Sequence, residues 1–289
     1  MTTGSFMLLA IAILPVIVLT TFIYRSDRYN KEPFRMLSRA FVVGVLSVLP
    51  AGVMEQFLSM WTPEAGIANG IYTGFVVAGF SEELCKLLVL MIFIWPSRYF
   101  DEYFDGIVYA CFVSLGFAAI ENVMYVFGSD TFASALATGS VRAVLSVPGH
   151  FLFGVSMGYY LALAKFDPSR RTRHLALALL VPALLHGTFD ALLMIPESLS
   201  PTYSGIVSSV LFVVFIWFDL RLWKSNMARL RTMQELSSQQ ASDGEQEPYD
   251  SRTNTHRPFD YDAPFGSTSG ENTRTRSGEK SLDDLDWDV

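Results

Sequence analysis

The chain has 289 residues, of which 51% are hydrophobic and 17% charged, with a formal net charge of −7 and a mean hydropathy of +0.33. Soluble domains carry about a quarter of their residues charged, so this composition weighs against a soluble two-domain enzyme and for a membrane protein. Residues 232–289 hold thirteen Asp/Glu against five Lys/Arg, whereas residues 1–231 hold fifteen against sixteen; the acidity belongs to a tail and implies no nucleic-acid partner for the body.

Crossing a bilayer core as a helix takes about twenty apolar residues. In chain order that rule predicts spans near 5–24, 36–60, 67–95, 105–127, 146–165, 174–195 and 204–223. The first lacks a basic leader and a small-residue cleavage site, so it reads as a retained helix and not a signal peptide. Residues 130–145 are apolar but weaker, a surface helix or an eighth crossing. Lys and Arg concentrate in 25–39, 165–173 and 221–231 and are absent from 61–66 and 196–203. This alternation puts the N-terminus outside and the C-terminus in the cytoplasm of a multi-pass plasma-membrane protein. An eighth span would break the alternation and is rejected on that ground. The predicted fold is an all-α transmembrane bundle of about seven spans over 1–231. The Ser-, Gln- and acid-rich segment 232–289 reads as a disordered cytoplasmic tail, whose terminal SLDDLDWDV could dock a cytoplasmic partner. Cys85 and Cys111 fall in apolar segments without a C-x-x-C pair and read as small buried hydrophobes.

Charged side chains at membrane depth are costly and mark sites. The third span holds G-F-S-E-E-L-C-K: Glu82 and Lys86, four apart, share a helix face, and Glu83 lies about 100° around it. One carboxylate is then neutralised by Lys86 while the other faces a cavity as a general base; the bland alternative is a structural ion-pair knot. In the fourth span Asp105 reads as a helix cap, and Glu121 and Asn122 sit near the far end. In the fifth, Pro148 and Gly149 put His150 at a helix break or start, and Gly154 and Gly158 form a G-x-x-x-G packing pair. Arg142 reads as an outer interface anchor. In the sixth, His186 and Asp190 share a face, so Asp190 can hold one imidazole nitrogen and leave the other for a metal or water. At about 1.5 Å per residue, these groups reach overlapping depths between the membrane middle and the outer face.

E-E-x-x-K at 82–86, F-x-x-x-E at 117–121, R-x-x-x-x-x-P-G-H at 142–150 and H-x-x-x-D at 186–190 resemble the PrsW family of intramembrane proteases, relatives of the CAAX prenyl endopeptidases and bacteriocin-processing membrane proteases. The resemblance covers roughly residues 30–223. It implies a polytopic protease cutting a membrane-anchored protein near the extracytoplasmic face, as in site-1 cleavage of an anti-sigma factor. It also implies Glu82 and Glu83 as essential carboxylates, with Glu121, His150 and His186 completing the site. The wider group often carries His in its second motif and Arg in its first, where Glu121 and Lys86 stand here, which leaves the metal question open.

For hydrolysis, Glu82 or Glu83 activates water, Lys86 holds the other carboxylate ionised, and His150, His186 and Asn122 are candidates to stabilise the oxyanion or protonate the leaving amine. A metal version takes zinc on Glu121, His150 and His186, with Asp190 orienting His186. The chain has no H-E-x-x-H, presenilin-like G-x-G-D or rhomboid-like G-x-S-G. The rival readings are a transporter using the same cluster as a proton relay, a haem protein with His150 and His186 as axial ligands, and a scaffold acting through its tail.

Overall fold

In hydrocarbon no water satisfies backbone N–H and C=O groups, so apolar runs of this length fold as helices that close every bond internally. The computed structural model describes residues 3–28, 30–197, 199 and 201–246, and among these it contains helices and no strands. Five helical stretches, Thr3–Ser26, Phe34–Trp61, Tyr103–Phe127, Phe132–Phe166 and Pro168–Pro196, are long and apolar enough to cross a membrane. The first two are α1 (Thr3–Ser26) and α2 (Phe34–Leu58). The expected third span is a helical run in three pieces: α3 (Ile67–Tyr72), a π-helical segment Thr73–Phe80, and α4 (Ser81–Phe93). Then come α5 (Tyr103–Phe127), α6 (Phe132–Val144), α7 (Ser146–Phe166), α8 (Arg171–Glu197) and α9 (Pro201–Gln246), which contains the expected seventh span. The molecule is an all-helical, multi-pass membrane bundle.

The 13-residue α6 is about 20 Å long at 1.5 Å per residue, short of the roughly 30 Å hydrocarbon core. It turns into α7 at Leu145 (φ −111°, ψ −61°). Pro148 sits in the first turn of α7, where its missing donor is least costly, and His150 follows in the second.

Small residues set the packing. A methyl group on Gly158 would overlap Gly106 and Ile107, and Gly154 meets Ser114 and Ala110, so the G-x-x-x-G pair lets α7 press against α5. Gly44 and Gly116 do the same between α2 and α5, and Gly74, Gly79 and Gly187 between the π segment and α8. Most of α5 and α7 is buried, whereas Leu46, Leu49 and Val53 on α2 and Phe212, Val213 and Trp217 on α9 face outward, as lipid contact requires. Cys85 and Cys111 are buried free thiols.

One end of the bundle gathers several connections. Asn30 Nδ2 donates to Asp101 Oδ1, Lys165 Nζ to the Trp95 carbonyl, Gln234 Nε2 to Ser26 and Gln240 Nε2 to Asp101. The last two contacts come from beyond the boundary expected at 232, where α9 runs on to Gln246. Leu230, Met233 and Ser237 repeat every three or four residues and are buried, so one face of this polar stretch docks, and extending a formed helix avoids a new nucleation step. Residues 247–289, including SLDDLDWDV, lie outside the described residues.

Candidate active site

Glu82 and Glu83 stand in the first turn of α4, where the π-helical segment ends. Such segments recur at functional sites because their wider turn redirects side chains. Gly79 abuts Gly187 N and Ala183 O, and this backbone contact brings the start of α4 against His186 of α8. The two carboxylates, Lys86, His150 and His186 are all buried.

Lys86 Nζ donates to Glu82 Oε2 at 3.1 Å and Glu83 Oε1 at 2.8 Å, and lies 3.2 Å from His150 Nδ1. Both carboxylates are therefore paired with Lys86, not one as expected, because positions i+3 and i+4 present one ammonium to each. His186 Nδ1 is 2.9 Å from Glu83 Oε1, and its Nε2 is 3.3 Å from Asp190 Oδ2. His150 Nε2 is 2.8 Å from Glu121 Oε2. The imidazoles meet edge to face at 5.2 Å, Phe153 stacks on His186, and Phe117 lies under the Lys86 ammonium.

Two carboxylate–imidazole pairs result, Asp190–His186 and Glu121–His150, each holding the outer nitrogen and leaving Nδ1 turned inward. Glu82, Glu83, His150 and His186 offer one ligand atom each, all within 4.8 Å of one another. Glu121 is not in that set. The metal trio expected from sequence, Glu121, His150 and His186, therefore differs from the converging set: the Arg142 guanidinium, 2.7 Å away, draws Glu121 behind His150. Asn122 is also turned from the pocket, accepting from Arg142 Nε and donating to the Ala12 carbonyl. Arg142 thus braces α5 from α6 and is more than an interface anchor. Its signals in sequence are that it is the lone cation between the fourth and fifth spans and that it opens the R-x-x-x-x-x-P-G-H motif. Glu55 on α2 was also missed; it is half-buried within electrostatic reach of Lys86, His186, Glu121 and Asp190.

The pocket fits a metal. Glu83 Oε2 is buried without a hydrogen-bond partner, an expensive state for an acceptor. Two imidazoles and two carboxylates are an N/O set of the kind zinc accepts. Lys86 already places one positive charge among three of these atoms, so an ion bound there would share the carboxylates with the ammonium or displace it.

Residues 32–218 match a family described as PrsW family intramembrane metalloprotease. A Bacillus subtilis protein named Protease PrsW is 38% identical over 233 residues, covering 80% of this chain and 100% of the relative. Its namesake in Clostridioides difficile is 37% identical over 225 residues, 77% of this chain and 90% of the relative. One from Geobacillus kaustophilus is 35% identical over 213 residues, 74% and 88% respectively. No solved structure matches the chain.

Proposed function

The chain belongs to the PrsW family of intramembrane metalloproteases, and we propose that it hydrolyses a single-pass membrane protein close to the outer face of a bacterial plasma membrane. The regulated release of an anti-sigma factor is the model for such a cut. The observation that carries this reading is the convergence of Glu82, Glu83, His150 and His186 within one buried pocket.

His150 and His186 through Nδ1, with Glu83, would hold a zinc ion. Bound there, the ion supplies Lewis acidity towards the scissile carbonyl and towards water. Glu83 suits a ligand because it touches His186 and has an unpartnered oxygen; Glu82, which keeps 5% of its surface exposed, suits the base that takes the proton from water. Asp190 and Glu121 hold the outer imidazole nitrogens, which turns Nδ1 of each ring inward, towards Glu83 in His186 and towards Lys86 in His150, as the atom that would meet an ion. Lys86 pairs with both carboxylates in an apolar surround and stands where an ammonium can favour a developing oxyanion. Phe117 and Phe153 wall the pocket and limit water.

For orientation, we propose the N-terminus outside and the Lys/Arg-rich connections in the cytoplasm; the contacts among residues 26–32, 95–101 and 234–240 at one end of the bundle support this. A tail partner is an expectation on residues outside those described.

The test is cleavage by the purified chain in liposomes, with candidate substrates found by membrane proteomics that compares wild type with Glu83→Gln. Glu82→Gln, Glu83→Gln and His186→Ala should each lower cleavage by about 10²- to 10⁴-fold. Cleavage that survives complete metal removal would end the zinc assignment, and cleavage that survives all three substitutions would end the site.

A further inference from the structure

At the other end of α5 lies a second acidic cluster with a different charge balance. Asp27 and Glu32 sit in the α1–α2 connection, Asp101 and Glu102 precede α5, and Asp105 occupies its first turn. One carboxylate oxygen each from Glu32, Asp101 and Asp105 lies within 4.8 Å of the other two. Asp101 is exposed; Asp27, Glu32, Glu102 and Asp105 are buried. Asp105 precedes Glu121 by about 24 Å of helix at 1.5 Å per residue, so this cluster shares no group with the hydrolytic pocket.

Among the described residues none of the five acids forms a salt bridge with Lys or Arg. Lys31, whose ammonium donates to the Tyr24 carbonyl, acts on Asp27 only at longer range, as Lys165 does on Asp101. The local donors are committed elsewhere. Glu32 N–H donates to Asp27 Oδ2, Asp101 and Glu102 N–H to Asp105 Oδ2, and the Tyr109 hydroxyl to Glu32.

Acids gathered at a helix start are common and need no ligand. What sets this cluster apart is that Asp27 Oδ1, Glu102 Oε1 and Asp105 Oδ1 are buried and accept no N–H or hydroxyl of the chain, while the Glu32 and Asp105 carboxyls lie within hydrogen-bonding reach of each other, so that a proton or a cation must stand between them. Asp105 is completely enclosed and belongs to the set of converging oxygens. Burial, reinforced by the neighbouring carboxylates, pushes Glu32 up to about 7 and Glu102 up to about 8. No Lys or Arg bridges to the five carboxyls, so without an added cation they hold protons near neutrality, and the unfilled sites are all oxygen acceptors. Ca²⁺ takes about six to eight such oxygens, from carboxylates and water, in flexible geometry, and Mg²⁺ takes a stricter octahedron of them that keeps several waters.

We propose that Glu32, Asp101 and Asp105, flanked by Asp27 and Glu102, form a site for a hard divalent cation of the Ca²⁺ or Mg²⁺ class. The ion clamps the α1–α2 connection onto the start of α5. Residues of α9 already reach the same place, through Ser237 on Phe104 N–H and Gln240 on the Asp101 carbonyl. The all-oxygen set separates this site from the imidazole-containing pocket, which favours a softer ion.

Mn²⁺, read by electron paramagnetic resonance, is the probe. It is titrated into the full-length chain in detergent at about pH 9, above the values of Glu32 and Glu102. The His150→Ala/His186→Ala background removes the imidazoles of the hydrolytic pocket; wild type preloaded with Zn²⁺ serves as a second background should the double variant not fold. The expected result is one bound Mn²⁺ per chain, displaced by Ca²⁺ or Mg²⁺, with affinity weakened at least about tenfold by Glu32→Gln and by Asp101→Asn. Asp101 is exposed, so its substitution keeps the fold, and an unchanged unfolding temperature in chelator checks this. No bound Mn²⁺ in either background, or binding that Asp101→Asn leaves unaltered, overturns the site and leaves the cluster neutralised by protons.

Discussion

The ends of α5 carry two buried acid clusters that solve the same electrostatic problem differently. Near Glu121 every carboxylate faces a cation or an imidazole: Lys86 meets Glu82 and Glu83, Arg142 meets Glu121, and His186 meets Asp190. Near Asp105 the carboxylates face one another and backbone N–H groups, and three oxygens are left without partners. Charge in low dielectric must be balanced locally or the group protonates. The first cluster is paired by the chain's own cations and imidazoles, the surround in which a base or a metal ligand can work. The second is balanced only by protons or an added cation, which suits a structural clamp.

Breaking the first balance should have the largest effect. Lys86→Met removes the ammonium and leaves two carboxylates buried without it, a change that costs about 3–5 kcal/mol for a buried pair. In metal-free protein we expect a loss of that size by denaturant or thermal unfolding in detergent. Zinc should recover part of it, because an ion on Glu83, His150 and His186 supplies the missing positive charge. Equal losses with and without zinc would mean that Lys86 and the metal do not share a pocket.

Sharpening the same contrast, the carboxylates behind the imidazoles should matter less than those in front. Asp190→Asn and Glu121→Gln keep shape and hydrogen bonding but lose the charge that holds the proton on the outer nitrogen. Each should weaken zinc binding by about 10- to 100-fold, measured by competition with a chromophoric chelator. If Glu121→Gln removed binding altogether, Glu121 would be a direct ligand, as its motif suggests and its geometry does not.

Much of this arrangement could be read in the sequence wherever partners lie within one helix. The spacings of Glu82 with Lys86, and of His186 with Asp190, specify a shared face, and both pairs form. That four spans pool their polar groups followed from the cost of charge in lipid. Contacts that depend on tertiary approach were not readable. Arg142 reaches Glu121 across a helix-helix turn, Glu55 arrives on α2, and Asp27, Glu32 and Asp101 meet only because two loops fold to one end. The π segment also has no periodicity that distinguishes it from an ordinary apolar helix, yet it decides which way Glu82 and Glu83 point.

At the loop end, pH should reveal what balances the acids. Glu32 and Glu102 are raised from an ordinary 4.5 to about 7 and about 8 by burial and by their acidic neighbours. A carboxyl raised on folding stabilises fully below its unfolded value and loses that contribution as pH rises through the folded one. In chelator, the unfolding temperature should therefore fall by a few degrees between about pH 4.5 and 8 and level off above that. Glu32→Gln should flatten that fall, and Mn²⁺ should offset it in wild type but not in Asp101→Asn. A flat profile in the wild-type chain would show that these groups already have partners.

The smallest effect concerns where the bundle stops. The Phe104 N–H belongs to the first turn of α5, where no intrahelical acceptor exists, and it is satisfied instead by Ser237 Oγ at 2.9 Å, from a segment that composition alone assigns to a solvated tail. Ser237 is completely buried, so Ser237→Ala leaves a buried donor unpaired and should cost about 1 kcal/mol. A substitution in a free tail stays within about 0.5 kcal/mol of neutral. Denaturant unfolding of Ser237→Ala beside Gln239→Ala, an exposed neighbour on the same helix, separates the two. Equal stability of both variants would return the boundary to 232, whereas a loss confined to Ser237 makes residues 232–241 part of the membrane domain and ties α9 mechanically to the acidic end of α5.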